Sequence, residues 1–116
     1  MKVLALIYGD ESKWESLSEA ERDEVYNRHR AFAAVAGVKL VTGAELAPTR
    51  AATTVRVREG KTLVSDGPFA ETKEQLGGFY LVDCVTLDEA AELATHIPAA
   101  STGPVELRAA RQEDAA

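Results

Sequence analysis

Apolar residues fill positions 3–8 without a break until Gly9 and Asp10 interrupt them. A continuous run with β-branched and aromatic members fits a strand buried on both faces and central in a sheet. The pattern then changes period. Val25, His29, Phe32 and Ala36 recur at helical intervals, and Ser18 with Glu21 has the spacing of a capping box. That combination predicts a first helix closed by Gly37. Residues 38–46 read as a second strand, with a bulge at Gly43, before Ala47, Pro48 and Thr49 break it. Residues 53–58 alternate, Val55 and Val57 sharing one face, and residues 61–65 return across Glu59 and Gly60 as a hairpin. Another apolar strand covers 78–84. Thr86 and Glu89 repeat the capping-box spacing ahead of Leu87, Ala90, Ala91, Ala94 and Ile97, a second helix that ends before Pro98. A short last strand covers 105–108, and residues 109–116 are small or polar enough to fray.

The order strand, helix, strand, hairpin, strand, helix, strand is an α+β, ferredoxin-like plan with an inserted hairpin. It places two helices on one face of one sheet. The other face must be polar or covered, and the apolar runs at 3–8 and 79–82 favour covering by a partner. With 116 residues, 46% of them hydrophobic, the chain suffices for one domain spanning 1–116 and is too short for two separate cores.

Charge narrows the partners. A net charge of -6 opposes the phosphate backbone, so direct nucleic-acid binding is not expected. Arg50, Arg56 and Arg58 form a local basic excess that reads either as an exposed strand face or as an anion clamp. No apolar run is long enough for a membrane span or a signal-peptide core, which points to a cytoplasmic protein. Cys84 is alone and ends an apolar strand, where a reduced, buried thiol fits. Two histidines and one cysteine on separate elements lack zinc-site spacing. No serine stands in a nucleophile elbow, and neither GxGxxG nor a Walker lysine is present. No metal, cofactor or covalent nucleophile is expected.

The remaining candidates are few. His29 falls on the packing face of the first helix, where it reads either as a core-edge histidine satisfied by a carbonyl or as an imidazole tuned near neutral pH. Asp10 follows the first strand, in a position equally suited to turn chemistry. Trp14 lies between that strand and the helix, where it either caps the core or walls a pocket with Tyr8. Asp66, Gly67, Pro68 and Phe69 make a rigid turn: Asp66 closes it, Pro68 fixes φ, and Phe69 anchors it in the core, while the Asp66 carboxylate held in so rigid a turn equally suits ligand binding. His96 sits near the end of the second helix, as a solvated cation would.

The stretch from Asp66 through Gly77 and Gly78 to Asp83 resembles the signature of the DGPF, or YCII-related, family. The likeness extends to the opening Leu4 through Glu11, to Thr54, Val55 and Arg56, and to the closing Ile97 through Ala100 and Val105 through Arg108. The resemblance implies a dimeric α+β barrel, in which two sheets pack face to face, and hence a homodimer. It also implies that His29 and Asp10 match a histidine–aspartate pair associated with the family's active site. On that reading a small-molecule pocket is lined by Tyr8, Asp10, Trp14, His29, Asp66 and Phe69 and serves acid/base chemistry such as isomerisation or elimination. The alternative it implies is a non-catalytic regulatory or binding module associated with extracytoplasmic-function sigma factor signalling.

Overall fold

A computed structural model of the chain describes residues 1–111. In chain order the elements are β1 (Lys2–Gly9), α1 (Glu11–Ser16), α2 (Glu19–Ala36), β2 (Leu40–Glu45), β3 (Thr53–Arg58), β4 (Lys61–Asp66), β5 (Gln75–Asp83), α3 (Leu87–Ala94) and β6 (Val105–Ala109). Four strands form an antiparallel sheet in the order β2-β5-β1-β6, and β3 pairs with β4 as a separate ribbon. This is the α+β, ferredoxin-like plan expected, with the hairpin standing outside the sheet.

Alternation along the two central strands divides the sheet into two unlike faces. Val3 pairs with Val82 and Ala5 with Tyr80; these residues face the helices and join Phe32, Ala36, Ala90, Ala94 and Ile97 in the core. Leu4 pairs with Leu81 and Leu6 with Phe79 on the opposite face, and none of the four belongs to that core. Arg108 and Glu106 flank them from β6. Among the described residues no element covers this second face, as two helices on one side of a sheet require.

Both long helices start where the capping spacing places them. Ser18 accepts from the N–H of Glu21 while Glu21 returns a carboxylate to the N–H of Ser18, and Thr86 accepts from the N–H of Glu89. A Lys39–Glu89 ion pair ties the first turn of α3 to the chain after α2.

Several local expectations change. The segment between β1 and α2 is not a loop: Asp10 caps the six-residue α1. β5 runs from Gln75 to Asp83, so it begins three residues before the strand expected over 78–84. The register irregularity in β2 lies between Leu40 and Thr42, just before Gly43, and residues Gly37–Lys39 form a 3₁₀ turn. Phe69 does not anchor its loop in the core; it is 80% exposed, because the loop joins the base of the ribbon to β5 and has no core beneath it. Ala109 still pairs with Val3, and the N–H of Ala110 bonds the carbonyl of Lys2. The last part of the tail expected to fray, residues 112–116, lies outside the described residues.

Candidate functional site

The helical spacing that puts Phe32 in the core puts His29 one turn earlier on the same face of α2, half-buried against β5. There its Nδ1 lies 2.7 Å from the Tyr80 hydroxyl. The Tyr80 ring packs on Phe32 at 4.7 Å and beside His29 at 5.8 Å between centroids. Gly43 of β2 makes room for it: a Cβ at that position would stand 2.5 Å from Tyr80 Cδ1. A second glycine brings the strands together, since a Cβ at Gly78 would stand 2.8 Å from the carbonyl oxygen of Ala44.

Glu45, paired with Gly78, carries a carboxylate whose charge acts on His29. Burial pushes the imidazole below its ordinary range, and the Glu45 charge opposes that push. Burial also raises the Tyr80 phenol, so both groups favour their neutral forms near pH 7. The Tyr26 hydroxyl donates to the Glu45 carboxylate at 3.0 and 3.1 Å, and burial followed by that bond raises its phenol as well. Trp14 meets Tyr26 edge-to-face at 5.5 Å, and the Arg22 guanidinium lies over Trp14 at 5.9 Å. A continuous polar and aromatic shelf therefore runs from Arg22 through Trp14, Tyr26 and Glu45 to His29 and Tyr80.

The other residues singled out by sequence sit around one end of the sheet. Asp10 Oδ1 accepts from the N–H of Ser12 at 2.9 Å and from its hydroxyl at 2.6 Å, and these bonds hold the exposed carboxyl below the usual range. Its oxygen is thus engaged in capping α1, while the His29 nitrogen is engaged with Tyr80; the two share no hydrogen bond. The next residue, Glu11, receives the N–H and hydroxyl of Thr49 at 2.7 and 2.8 Å. Together with the Arg50–Glu15 ion pair, this fastens the base of the ribbon to α1. Arg50 is consequently partnered, whereas Arg56 and Arg58 lie on the exposed ribbon.

Tyr8 is half-buried at the end of β1 opposite Leu76. Asp66 ends β4, exposed, and the following Gly67 takes φ +92° while its N–H bonds the carbonyl of Ala52 at 2.7 Å. That dihedral favours glycine, which explains the second letter of the turn. The structure thus brings Trp14 and His29 onto one shelf and leaves Asp66 and Phe69 at the root of the ribbon. Tyr80, Glu45 and Tyr26 were missed by sequence reading. The available signals were modest: Tyr80 alternates with Val82 on the helix-facing side of β5, and Glu45 ends a strand that is otherwise without charge.

Two shallow grooves lie away from the shelf. One of about 240 Å³ is lined by Arg28, Phe32, Val35, His96 and neighbours, the other of about 290 Å³ by small residues of α3 and β6. Among the described residues, no three His, Cys, Asp or Glu side chains gather as metal ligands, and no helix is long and apolar enough to cross a membrane.

The family model described as the YCII-related domain matches residues 1–113. An uncharacterized protein of Rhizobium meliloti (strain 1021) is 46% identical over 112 residues, which span 93% of this chain and 90% of that protein.

Proposed function

Because the chain belongs to the YCII-related domain family, we propose that it binds a small molecule on the α2–β5 shelf and moves a proton there with His29 and Tyr80. The observation that carries this reading is the 2.7 Å contact between His29 Nδ1 and the Tyr80 hydroxyl. Burial disfavours charge on either group, so the pair works best as a neutral relay. With Nδ1–H donating to Tyr80, His29 Nε2 holds a free lone pair and accepts a proton from a ligand carbon or heteroatom. Nδ1–H then passes to the Tyr80 oxygen while the Tyr80 O–H delivers its own proton to a second ligand atom. One proton leaves the ligand and one returns, which is a tautomerisation or isomerisation and uses no cofactor. Trp14 and Tyr26 supply an aromatic wall, and Glu45 keeps His29 from falling further below neutrality.

In this arrangement Asp10 and Asp66 act at the rim. Asp10 positions α1 and with it Trp14, and Tyr8, Asp66 and Phe69 border the access route from the ribbon side. A second copy of the chain covers the open sheet face through Leu4, Leu6, Phe79 and Leu81, giving a cytoplasmic homodimer in which the paired sheets form the barrel.

The test is an NMR screen of small enolisable acids and carbonyl compounds against labelled protein. Binding that moves the resonances of His29, Tyr80 and Trp14, and is lost in His29→Ala, supports the reading; ligands that move only the two outlying grooves refute it. The second reading is a regulatory or binding module of extracytoplasmic-function sigma factor signalling. It draws support from apolar side chains in solvent near one end of the sheet, where Val38 is 100% and Val85 82% exposed.

A further inference from the structure

The β3–β4 ribbon projects as an arm that packs on no other strand or helix to any substantial extent. Its root is the turn Thr49–Ala51, and that root is tied to α1. Helix α1 is six residues long and buries none of them. So short a helix has little stability of its own and no core to fix its pose, so its neighbours decide where it lies. They hold its two ends separately. At the first residue, the Glu11 carboxylate accepts the N–H and the hydroxyl of Thr49 at 2.7 and 2.8 Å, and the Glu11 N–H donates to Gln75 Oε1 at 3.0 Å. One turn on, Glu15 pairs with Arg50. Toward the last residue, Arg22 of α2 donates from Nε to the Trp14 carbonyl at 3.3 Å and from Nη2 to the Glu15 carbonyl at 2.7 Å. Trp14 stands between the two holds, its ring edge-to-face with Tyr26.

We propose that Thr49 is a positioning residue for the shelf: through Glu11 it fixes the pose of α1, keeps Trp14 against Tyr26 and so couples the arm to the shelf. What Trp14 serves there rests on the ligand-binding reading above; its placement does not. The Glu11–Thr49 contact carries the coupling, because it is partly buried and joins one carboxylate to two donors. The Arg50–Glu15 pair is exposed, and an exposed ion pair holds little. Without the Thr49 hydroxyl the first turn of α1 loosens, and the helix pivots on the Arg22 bonds, carrying Trp14 off Tyr26. Tyr26 passes the change on, since its hydroxyl donates to Glu45, whose charge acts on His29. Coupling runs both ways by linkage, so releasing Trp14 loosens the root of the arm.

Trp14 is the chain's one tryptophan, so fluorescence reads its position directly. Thr49 lies outside α1, and a substitution there reaches Trp14 through the Glu11 contact. Thr49→Val is expected to shift Trp14 emission to the red, to weaken the Trp14–Tyr26 ring NOEs and to move the His29 ring-nitrogen shifts, with far-UV dichroism unchanged. Thr49→Ser keeps the hydroxyl and is expected to match the wild type in all three. Trp14→Leu is expected to speed amide exchange at Thr49 by about tenfold, as loss of a hydrogen bond to a carboxylate would. None of these readouts needs a ligand. Trp14 emission and NOEs indifferent to Thr49→Val, with Thr49 exchange indifferent to Trp14→Leu, overturn the coupling. The expected responses in a protein whose shelf binds nothing in the screen uphold the coupling and refute the ligand reading alone.

Discussion

At the scale of single residues, the chemistry follows from where α2 places an imidazole. Half-buried His29 loses hydration that its charged form needs, so its proton is held below the ordinary 6.5 even with Glu45 opposing. Unfolding restores the ordinary value. The unfolded chain therefore binds this proton first as pH falls, and stability declines from pH 6.5 downward until the folded midpoint is passed. Urea unfolding at about pH 7.5 and about pH 5.5 should show that decline in the wild type and a smaller one in His29→Gln. Asp10 acts in the same direction at lower pH: its capping bonds depress the carboxyl, so its contribution is present above its ordinary 3.8 and is lost as pH falls below it. His29 was legible from periodicity alone, since Val25, Phe32 and Ala36 mark the buried side of the helix. Its partner was not, because the Tyr80–α2 contact joins residues 51 apart and depends on strand order. The resemblance placed Asp10 beside His29, yet Asp10 is spent on a local cap formed within two residues.

At the scale of elements, capping and close approach do most of the positioning. The reciprocal bonds of Ser18 and Glu21 fix the start of α2, and Ser18→Ala should lower stability by about 1 kcal/mol in chemical denaturation. Gly43 matters for a different reason. In Gly43→Ala the new methyl would meet the Tyr80 ring at 2.5 Å and the carbonyl of Phe79 at 2.9 Å, so ring or strand must move. We expect loss of the His29–Tyr80 hydrogen bond there, visible as a change in the His29 ring-nitrogen shifts, with α2 helicity retained. The strands and both long helices were legible because each carries its own period and cap. α1 was not, since six residues with two serines and no buried side chain leave no periodic trace. β5 opens at Gln75 because its side chain accepts from the N–H of Glu11 across the sheet end, a contact invisible to any local window.

At the scale of the whole molecule, the chain is a slab with an arm. Its extents are 51 × 46 × 19 Å, and its radius of gyration of 16.4 Å exceeds the ~13 Å of a compact domain this long. The thin dimension is one sheet plus one helical layer, with Leu4, Leu6, Phe79 and Leu81 on the side no helix reaches. If the proposed homodimer forms through this face, Leu6→Lys should yield a monomer by sedimentation with unchanged far-UV dichroism, since the charge enters the proposed interface and not the core. The apolar character of both faces of the central strands was legible in their runs, whereas the isolation of the ribbon was not, because its alternation looks like that of any half-buried hairpin. The proposed chemistry lies on the helix-covered side of the sheet and rests on the state of His29. The most direct test is a ¹⁵N NMR titration of His29 in the wild type, Tyr80→Phe, Glu45→Gln and Asp10→Asn. The account expects a wild-type midpoint below 6.5, a further fall in Glu45→Gln, a displaced Nδ1 shift in Tyr80→Phe and no response to Asp10→Asn. A midpoint at or above 6.5 with Nδ1 indifferent to Tyr80 would contradict it.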